Sequence, residues 1–488
     1  MTGSRFLLVS NPACIAFADV PELSPSQWRD ALITSSGRLA ALFHEPQSSA
    51  TRLYAVVAFR ATGKLGVITT VVDGSYPALT PDLPQAHLFE REIFEASGVV
   101  PTGHPGLKPV RYPHTTEPGV TDYFAVEGEE IHEVAVGPVH AGVIEPGHFR
   151  FQCHGENVLH LEISLGYQHR GVEKALIGGP NSRTIHYMET LAGDTSIGHA
   201  TAYCQAHEAL SSVAAPARAQ AIRAVALELE RMANHAGDLG ALAGDVAFLP
   251  TASFCGRLRG DILNMTALIC GSRFGRGLIR PGGVLFDIDA DMARALLERL
   301  ALTTKDLRGA VSLLWDAPSV LARFEDTGIV SKDLCETLGL VGPAARACGV
   351  PLDTRSDFPS GMYRFRQPAV ATWPDGDVFA RAFVRWMEIQ ESARFIEEQI
   401  QNLPSGPVTA APAPLAPGSC AVSLVEGWRG EICHVAITGD DGRIAAYKIV
   451  DPSFHNWTGL AMALRKQQIS DFPLINKSFN LSYCGHDL

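Results

Sequence analysis

No two of the ten cysteines, at positions 14, 153, 204, 255, 270, 335, 348, 420, 433 and 484, stand in a Cys-x-x-Cys spacing. That removes the commonest sequence signature of zinc ribbons and iron–sulfur clusters, and single thiols scattered through 488 residues suit a reducing compartment. No window offers about 18 consecutive apolar residues, so no bilayer span is expected and any membrane association must come through partners. The opening Arg5-Phe6-Leu7-Leu8-Val9-Ser10-Asn11-Pro12 is only superficially like a leader peptide, because Asn11 and Pro12 cut the apolar stretch short. It reads as a first strand. Positive charge is also scarce: 40 Lys and Arg stand against 52 Asp and Glu, a net charge of -12, with no basic run to track a phosphate backbone. Nucleic acid is therefore not an expected partner, and no internal repeat is present.

What is there is globular. A composition 46% apolar and 19% charged excludes disorder and coiled coil, and the length allows two to four domains at roughly 150 residues each. The first ~112 residues read as a mixed α/β unit. Arg52 to Phe59 and Leu65 to Val72 form a hairpin around Ala61-Thr62-Gly63-Lys64. A helix follows over Ala86 to Glu95, with Phe89 and Ile93 on one face, carboxylates on the other, and Gly98 as the stop. Residues 113–131 are polar and aperiodic and mark the best boundary. From Val136 onward the pattern becomes helical: Ile222, Val225, Leu229 and Met232 recur at helical spacing within 216–249, and Phe379, Phe383, Trp386 and Ile389 within 377–401. A proline-rich stretch, 404–417, predicts an exposed connector. Cys420 to Val450 reads as short strands around Gly439-Asp440-Asp441-Gly442, followed by a helix over 457–468. The fold class expected is α+β: an N-terminal α/β domain (1–112), a linker (113–131) and a mainly helical domain (132–488) with a small antiparallel sheet.

Four segments carry a resemblance. They are Gly137-Pro138-Val139-His140-Ala141-Gly142-Val143-Ile144-Glu145-Pro146-Gly147-His148-Phe149, Leu165-Gly166-Tyr167-Gln168-His169-Arg170-Gly171-Val172-Glu173-Lys174, Glu426-Gly427-Trp428-Arg429-Gly430-Glu431 and Asp471-Phe472-Pro473-Leu474-Ile475. Over residues ~132–488 the chain resembles the large subunit of membrane-bound energy-converting [NiFe] hydrogenases, including formate hydrogenlyase, and the related quinone-site subunit of respiratory complex I. Glu90-Arg91-Glu92 followed by Gly103-His104-Pro105 resembles the small peripheral-arm subunit of complex I, fused to the large subunit.

That resemblance implies a site, with departures. Relatives of the hydrogenase type hold nickel and iron with two Cys-x-x-Cys pairs, whose soft thiolates those metals need. Here the first pair falls on Ala192 and Thr195 and the second on Ser482 and Gly485, with Cys484 one place before the latter. No metal is expected: His199, Cys484, His486 and Asp487 match no standard ligand spacing. The C-terminal extension that such relatives lose after metal insertion is expected to be lacking, Leu488 being the last residue.

The polar residues implied for the proton path or cavity are Glu145, His140, Asp194 and Arg429. Glu145 lies where the hydrogenases keep a proton-relaying carboxylate, and a partly buried Glu suits exchange near neutral pH; a capping or pairing role in a loop stays open. His140 takes the place of a histidine beside the quinone headgroup, and His140 with His199 could line a quinone or acceptor cavity, although a satisfied core histidine fits as well. Arg429 matches an arginine that overhangs the metal, and Asp194, buried, needs a partner such as Arg429 or His199. His169-Arg170-Gly171 closes a helix–loop contact facing an electron-transfer partner or is purely structural. Cys14, Cys153, Cys255, Cys270, Cys335 and Cys348 read as small core residues.

By resemblance the partners are an iron–sulfur small subunit carrying a [4Fe–4S] cluster and antiporter-like membrane subunits, with the chain peripheral on the cytoplasmic face of the cell membrane. The leading expectation is a subunit coupling electron transfer to proton or ion translocation without its own [NiFe] centre. A quinone-reducing NADH-quinone oxidoreductase-type subunit and a structural subunit with a chemically inactive cavity remain as alternatives.

Overall fold

The computed structural model describes residues 5–45, 51–111, 122–140 and 144–488. Residues 113–121 of the expected linker and Ala141-Gly142-Val143 of the first motif lie outside them. The N-terminal region builds an antiparallel meander from β4 (Arg38–His44), β5 (Thr51–Phe59) and β6 (Lys64–Val72), with β1 (Leu7–Val9) on the far edge of β6 and β3 (Glu22–Leu23) pairing β6 in parallel. The β5–β6 hairpin is the one that the alternation predicts. Between β1 and β3, β2 (Ala13–Ala16) leaves this sheet. Helix α1 (Pro25–Ile33) opens on a capping box in which Ser24 accepts from the Gln27 amide.

Helix α2 (His87–Ser97) ends at Gly98 in the left-handed conformation, as expected. Its carboxylates correct the reading of a polar outer face. Glu90 is fully buried and accepts from the Leu79 and Thr80 amides at 2.7 and 2.9 Å, closing the preceding loop. Glu92 is buried too, between Arg111 at 2.6 Å and Lys448 at 2.5 Å. Amphipathicity assigns polar residues to solvent by default, and loop amides at Glu90 and cations at Glu92 override that default here.

The next segment also departs from expectation. Val136 onward is not yet helical: β7 (Ile131–Val136), β8 (His148–His154) and β9 (Asn157–Ser164) form an antiparallel sheet in the order β9-β8-β7. Helices dominate only afterwards, in α3 (Ser196–Ser211), α4 (Ala217–Asp245), α5 (Leu249–Cys270), α6 (Ala290–Trp315) and α7 (Val378–Gln401). Helix α4 is buried on nearly every face, since α5 and α7 both pack along it.

The chain then returns to strands β10 (Ser419–Gly427), β11 (Gly430–Thr438) and β12 (Ile444–Val450), longer than expected and buried on both faces. Alternate residues explain why. Cys420, Val422 and Leu424 join the core of the N-terminal sheet, whereas Ala421 and Val425 join the helical core, where α3 packs on β10 and β11. β2 completes this sheet by pairing antiparallel with β10, so a strand from the first twenty residues lies in the order β12-β11-β10-β2. That pairing leaves Cys14 exposed, a correction to its reading as a core residue; Cys153, Cys255, Cys270, Cys335 and Cys348 are buried. Helix α8 (Pro452–Ala463) starts five residues earlier than expected because Asp451 caps it, accepting from the Ser453 amide, and α9 (Phe472–Phe479) follows. No helix among the described residues is long and apolar enough to cross a membrane.

Candidate functional site

The two-residue turn between β10 and β11 places Trp428 and Arg429, and the loop before α3 places Asp194 and Thr195. They meet face to face. Arg429 Nη1 and Nη2 donate to the two carboxylate oxygens of Asp194 at 2.6 and 2.9 Å, a bidentate geometry only a guanidinium can make. The same group donates from Nε to the Asn480 carbonyl at 2.5 Å and stacks 3.9 Å from the Trp428 ring. Burial alone pushes the Asp194 carboxyl upward, but the charge and hydrogen bonds of Arg429 outweigh it and hold Asp194 below the usual carboxylate range.

Asp194 and Arg429 line a cavity of about 270 Å³ together with Glu145, Ser482, Cys484, Arg259, Phe274 and Gly193. Glu145 accepts weakly from the Tyr483 amide at 3.3 Å. Cys484 lies 3.4 Å from the Ser482 hydroxyl and is the one thiol on the wall. Burial, and then the charge of Glu145, push that thiol up to about 11. Glu145, Asp194 and Arg429 are thus brought together. His140 is not: its ring reaches the Gly147 carbonyl at 3.0 Å and remains in its own loop. Among the described residues no three His, Cys, Asp or Glu side chains converge as a metal site.

Behind the Asp194–Arg429 pair, a chain of buried polar side chains crosses from α3 to the sheet. His199 Nε2 bonds Asp451 Oδ2 at 3.0 Å, His199 Nδ1 meets His434 Nε2 at 3.1 Å, and His434 Nδ1 meets the Tyr447 hydroxyl at 2.9 Å. Asp451 is held below the usual carboxylate range, since the hydrogen bond from His199 and the charge of Arg429 outweigh its burial. Burial keeps His434 neutral. An ionised Asp451 requires a donor at His199 Nε2, and with a neutral His199 one direction then satisfies the whole series: Tyr447 O–H to His434 Nδ1, His434 Nε2–H to His199 Nδ1, His199 Nε2–H to Asp451. The sequence expectation placed His199 in the cavity; it is instead fully buried in this series.

Glu230 of α4 completes the surroundings. It accepts from the Ile197 and Gly198 amides at 2.7 and 3.1 Å and so caps the start of α3, which Thr195 leaves uncapped. Burial lifts its carboxyl to about 8, with Asp194 adding to the effect and the two amides opposing it. Sequence reading missed Glu230, His434, Tyr447 and Asp451. Only Asp451 had a local signal, as an Asp-Pro helix start.

Comparison with known proteins decides the family. The model for "Respiratory-chain NADH dehydrogenase, 49 Kd subunit" matches residues 245–419, and that for the 30 Kd subunit matches residues 34–126. The carbon monoxide-induced hydrogenase of Rhodospirillum rubrum is 31% identical over 350 residues, covering 72% of this chain and 97% of its own. The chain belongs to the family shared by these hydrogenases and the 49 kDa subunit of NADH dehydrogenase. Formate hydrogenlyase subunit 5 of Escherichia coli (strain K12) is 29% identical over 439 residues, 84% of this chain and 77% of that relative. An NADH-quinone oxidoreductase subunit of Solibacter usitatus is 29% identical over 340 residues, 69% and 91% of the two chains. The fused order of a 30 kDa-like and a 49 kDa-like segment is present here, and several family relatives are named as subunits.

Proposed function

We propose that the protein is a peripheral subunit of a membrane-bound complex, related to hydrogenases and complex I, in which electron transfer drives proton or ion translocation, and that it holds no [NiFe] centre of its own. The observation that carries this reading is the donor set of the cavity. A thiolate-bound nickel–iron centre takes soft sulfur ligands, and the wall offers one thiol, Cys484, beside Ser482 and opposite an ion pair already closed between Asp194 and Arg429. These residues do not fit such a centre. They do fit proton handling: Glu145 and Cys484 at the wall, the Asp194–Arg429 pair, and behind it the directed series from Tyr447 to Asp451. The partners that the family suggests are a small subunit carrying a [4Fe–4S] cluster and antiporter-like membrane subunits, which would place the chain on the cytoplasmic face of the cell membrane.

A second reading, quinone reduction, is favoured by the match to the 49 kDa subunit and by the NADH-quinone oxidoreductase relative of Solibacter usitatus. The placement of His140 away from the cavity weakens it. Elemental analysis of the purified complex tests the first reading. Nickel far below one atom per chain is expected, and stoichiometric nickel overturns it. A quinone-dependent turnover abolished by cavity substitutions would favour the second.

A further inference from the structure

A second cavity, of about 320 Å³, lies at the far end of α3 from Asp194 and is within the size range of small-molecule sites. Its walls are largely apolar, with Ala209, Val213, Leu227 and Met362 among them. The polar groups among them are unequally satisfied. Glu208, the one carboxylate on the wall, is neutralised: it takes two bonds from Arg223, at 2.6 and 3.1 Å, and one from the Gly282 amide. Arg364 is different. It is exposed, donates to the carbonyls of Asn11 and Pro359, and forms no ion pair among the described residues. Beside it the Ser360 hydroxyl accepts from Gln205 at 3.0 Å and keeps its own proton to donate, and the buried Thr201 hydroxyl has no partner among the described residues.

We infer that this cavity binds a small organic monocarboxylate, its anion paired with Arg364 and received by the Ser360 hydroxyl, its apolar body against Leu227 and Met362. A cation has no unneutralised partner here. A phosphate dianion would bring two charges to one guanidinium and leave the apolar wall uncovered. Thr201 stands two residues beyond His199 on the same helix and so points to a different face, and the cavity is separate from that of Asp194. The site does not depend on the proposed function.

The test is titration calorimetry of the full chain with hexanoate, hexanamide and inorganic phosphate. Hexanoate is expected to bind at least about tenfold more tightly than its neutral amide and than phosphate, and Arg364→Gln to remove that preference. Because Arg364 also braces two carbonyls, a second variant guards against misfolding. Ala214→Trp, at an exposed position on the rim, leaves every polar group in place and should block hexanoate. Equal affinity for acid and amide, stronger binding of phosphate, no binding of hexanoate, or wild-type binding in Ala214→Trp each overturns the assignment.

Discussion

Asp194 and Arg429, 235 positions apart, meet through two parallel hydrogen bonds at the wall of the cavity. The arginine is buried, while Asp194 keeps 32% of its side chain exposed. The pair therefore stands between a surface ion pair, worth about 0–1 kcal/mol, and a buried one, whose breakage costs about 3–5 kcal/mol. Arg429→Met should lower stability by about 2 kcal/mol in denaturant unfolding. The double variant with Asp194→Leu should cost less than the two single changes added, because the orphaned carboxylate is then gone. Additive losses would show that the pair is not energetically coupled.

Glu92 ties the N-terminal region to the rest of the chain. Burial opposes its charge, but Arg111 and Lys448 win and bring its carboxyl down to about 2 from an ordinary 4.5. A depressed folded value means the stabilisation is complete above pH 4.5 and fades as pH falls toward 2. Glu92→Gln should remove that part of the acid sensitivity and cost about 3 kcal/mol at neutral pH, since two cations lose their counter-charge in a dry site. Chemical denaturation of both proteins across pH 3 to 7 checks the two effects together.

How far such contacts could be read from sequence depends on distance along the chain. The β5–β6 hairpin and the turn at Gly439-Asp440-Asp441-Gly442 were legible because alternation and turn residues are local. The ion pair of Asp194 and Arg429 was legible because Arg429 sits in a motif carrying the family resemblance and Asp194 between Ala192 and Thr195, the positions onto which the resemblance maps the first cysteine pair. Glu92 was not: its partners lie 19 and 356 positions away, and helix periodicity pointed its carboxylate outward. His434 and Tyr447 occupy strands buried on both faces, where no alternation marks a functional side chain. The sheet of β7 to β9 was missed because the resemblance to a helix-rich subunit outweighed a weak strand pattern there.

Glu230 should give the opposite pH signature. Its carboxyl is raised from 4.5 to about 8, so the folded protein binds a proton there that the unfolded chain has released. The stabilisation is complete below pH 4.5 and is lost progressively as pH rises to about 8. Glu230→Gln has nothing to titrate, and because its single carbonyl oxygen can accept from only one of the Ile197 and Gly198 amides, it adds a loss that does not depend on pH. The difference in stability between variant and wild type should grow in favour of the variant from pH 5 to 8. A pH-independent difference would mean that Glu230 stays ionised throughout.

Glu145 on the cavity wall accepts from the Tyr483 amide at 3.3 Å and lies in hydrogen-bond contact with Cys484. Glu145→Gln preserves volume and that acceptor. In the intact complex it should reduce coupled turnover by roughly 10²-fold, the loss typical of a general acid or base, and leave assembly unchanged. Wild-type turnover would make Glu145 a structural residue.

The series from Tyr447 to Asp451 makes a spectroscopic prediction, because its direction fixes both imidazole tautomers. With a neutral His199, His434 must carry its proton on Nε2 and, held so by burial, remain neutral. Nitrogen-15 NMR of selectively labelled protein should show one His434 tautomer with no titration between pH 5.5 and 8. Asp451→Asn supplies the critical contrast. An amide can present its N–H₂ to His199 Nε2, which then accepts, so the proton on His199 moves to Nδ1 and the one on His434 to its own Nδ1, facing Tyr447. A reversal of both tautomers on that single change would establish that the four side chains respond as one unit. An unchanged His434 in the variant would reduce the series to separate buried hydrogen bonds, with no capacity to pass a proton along its length.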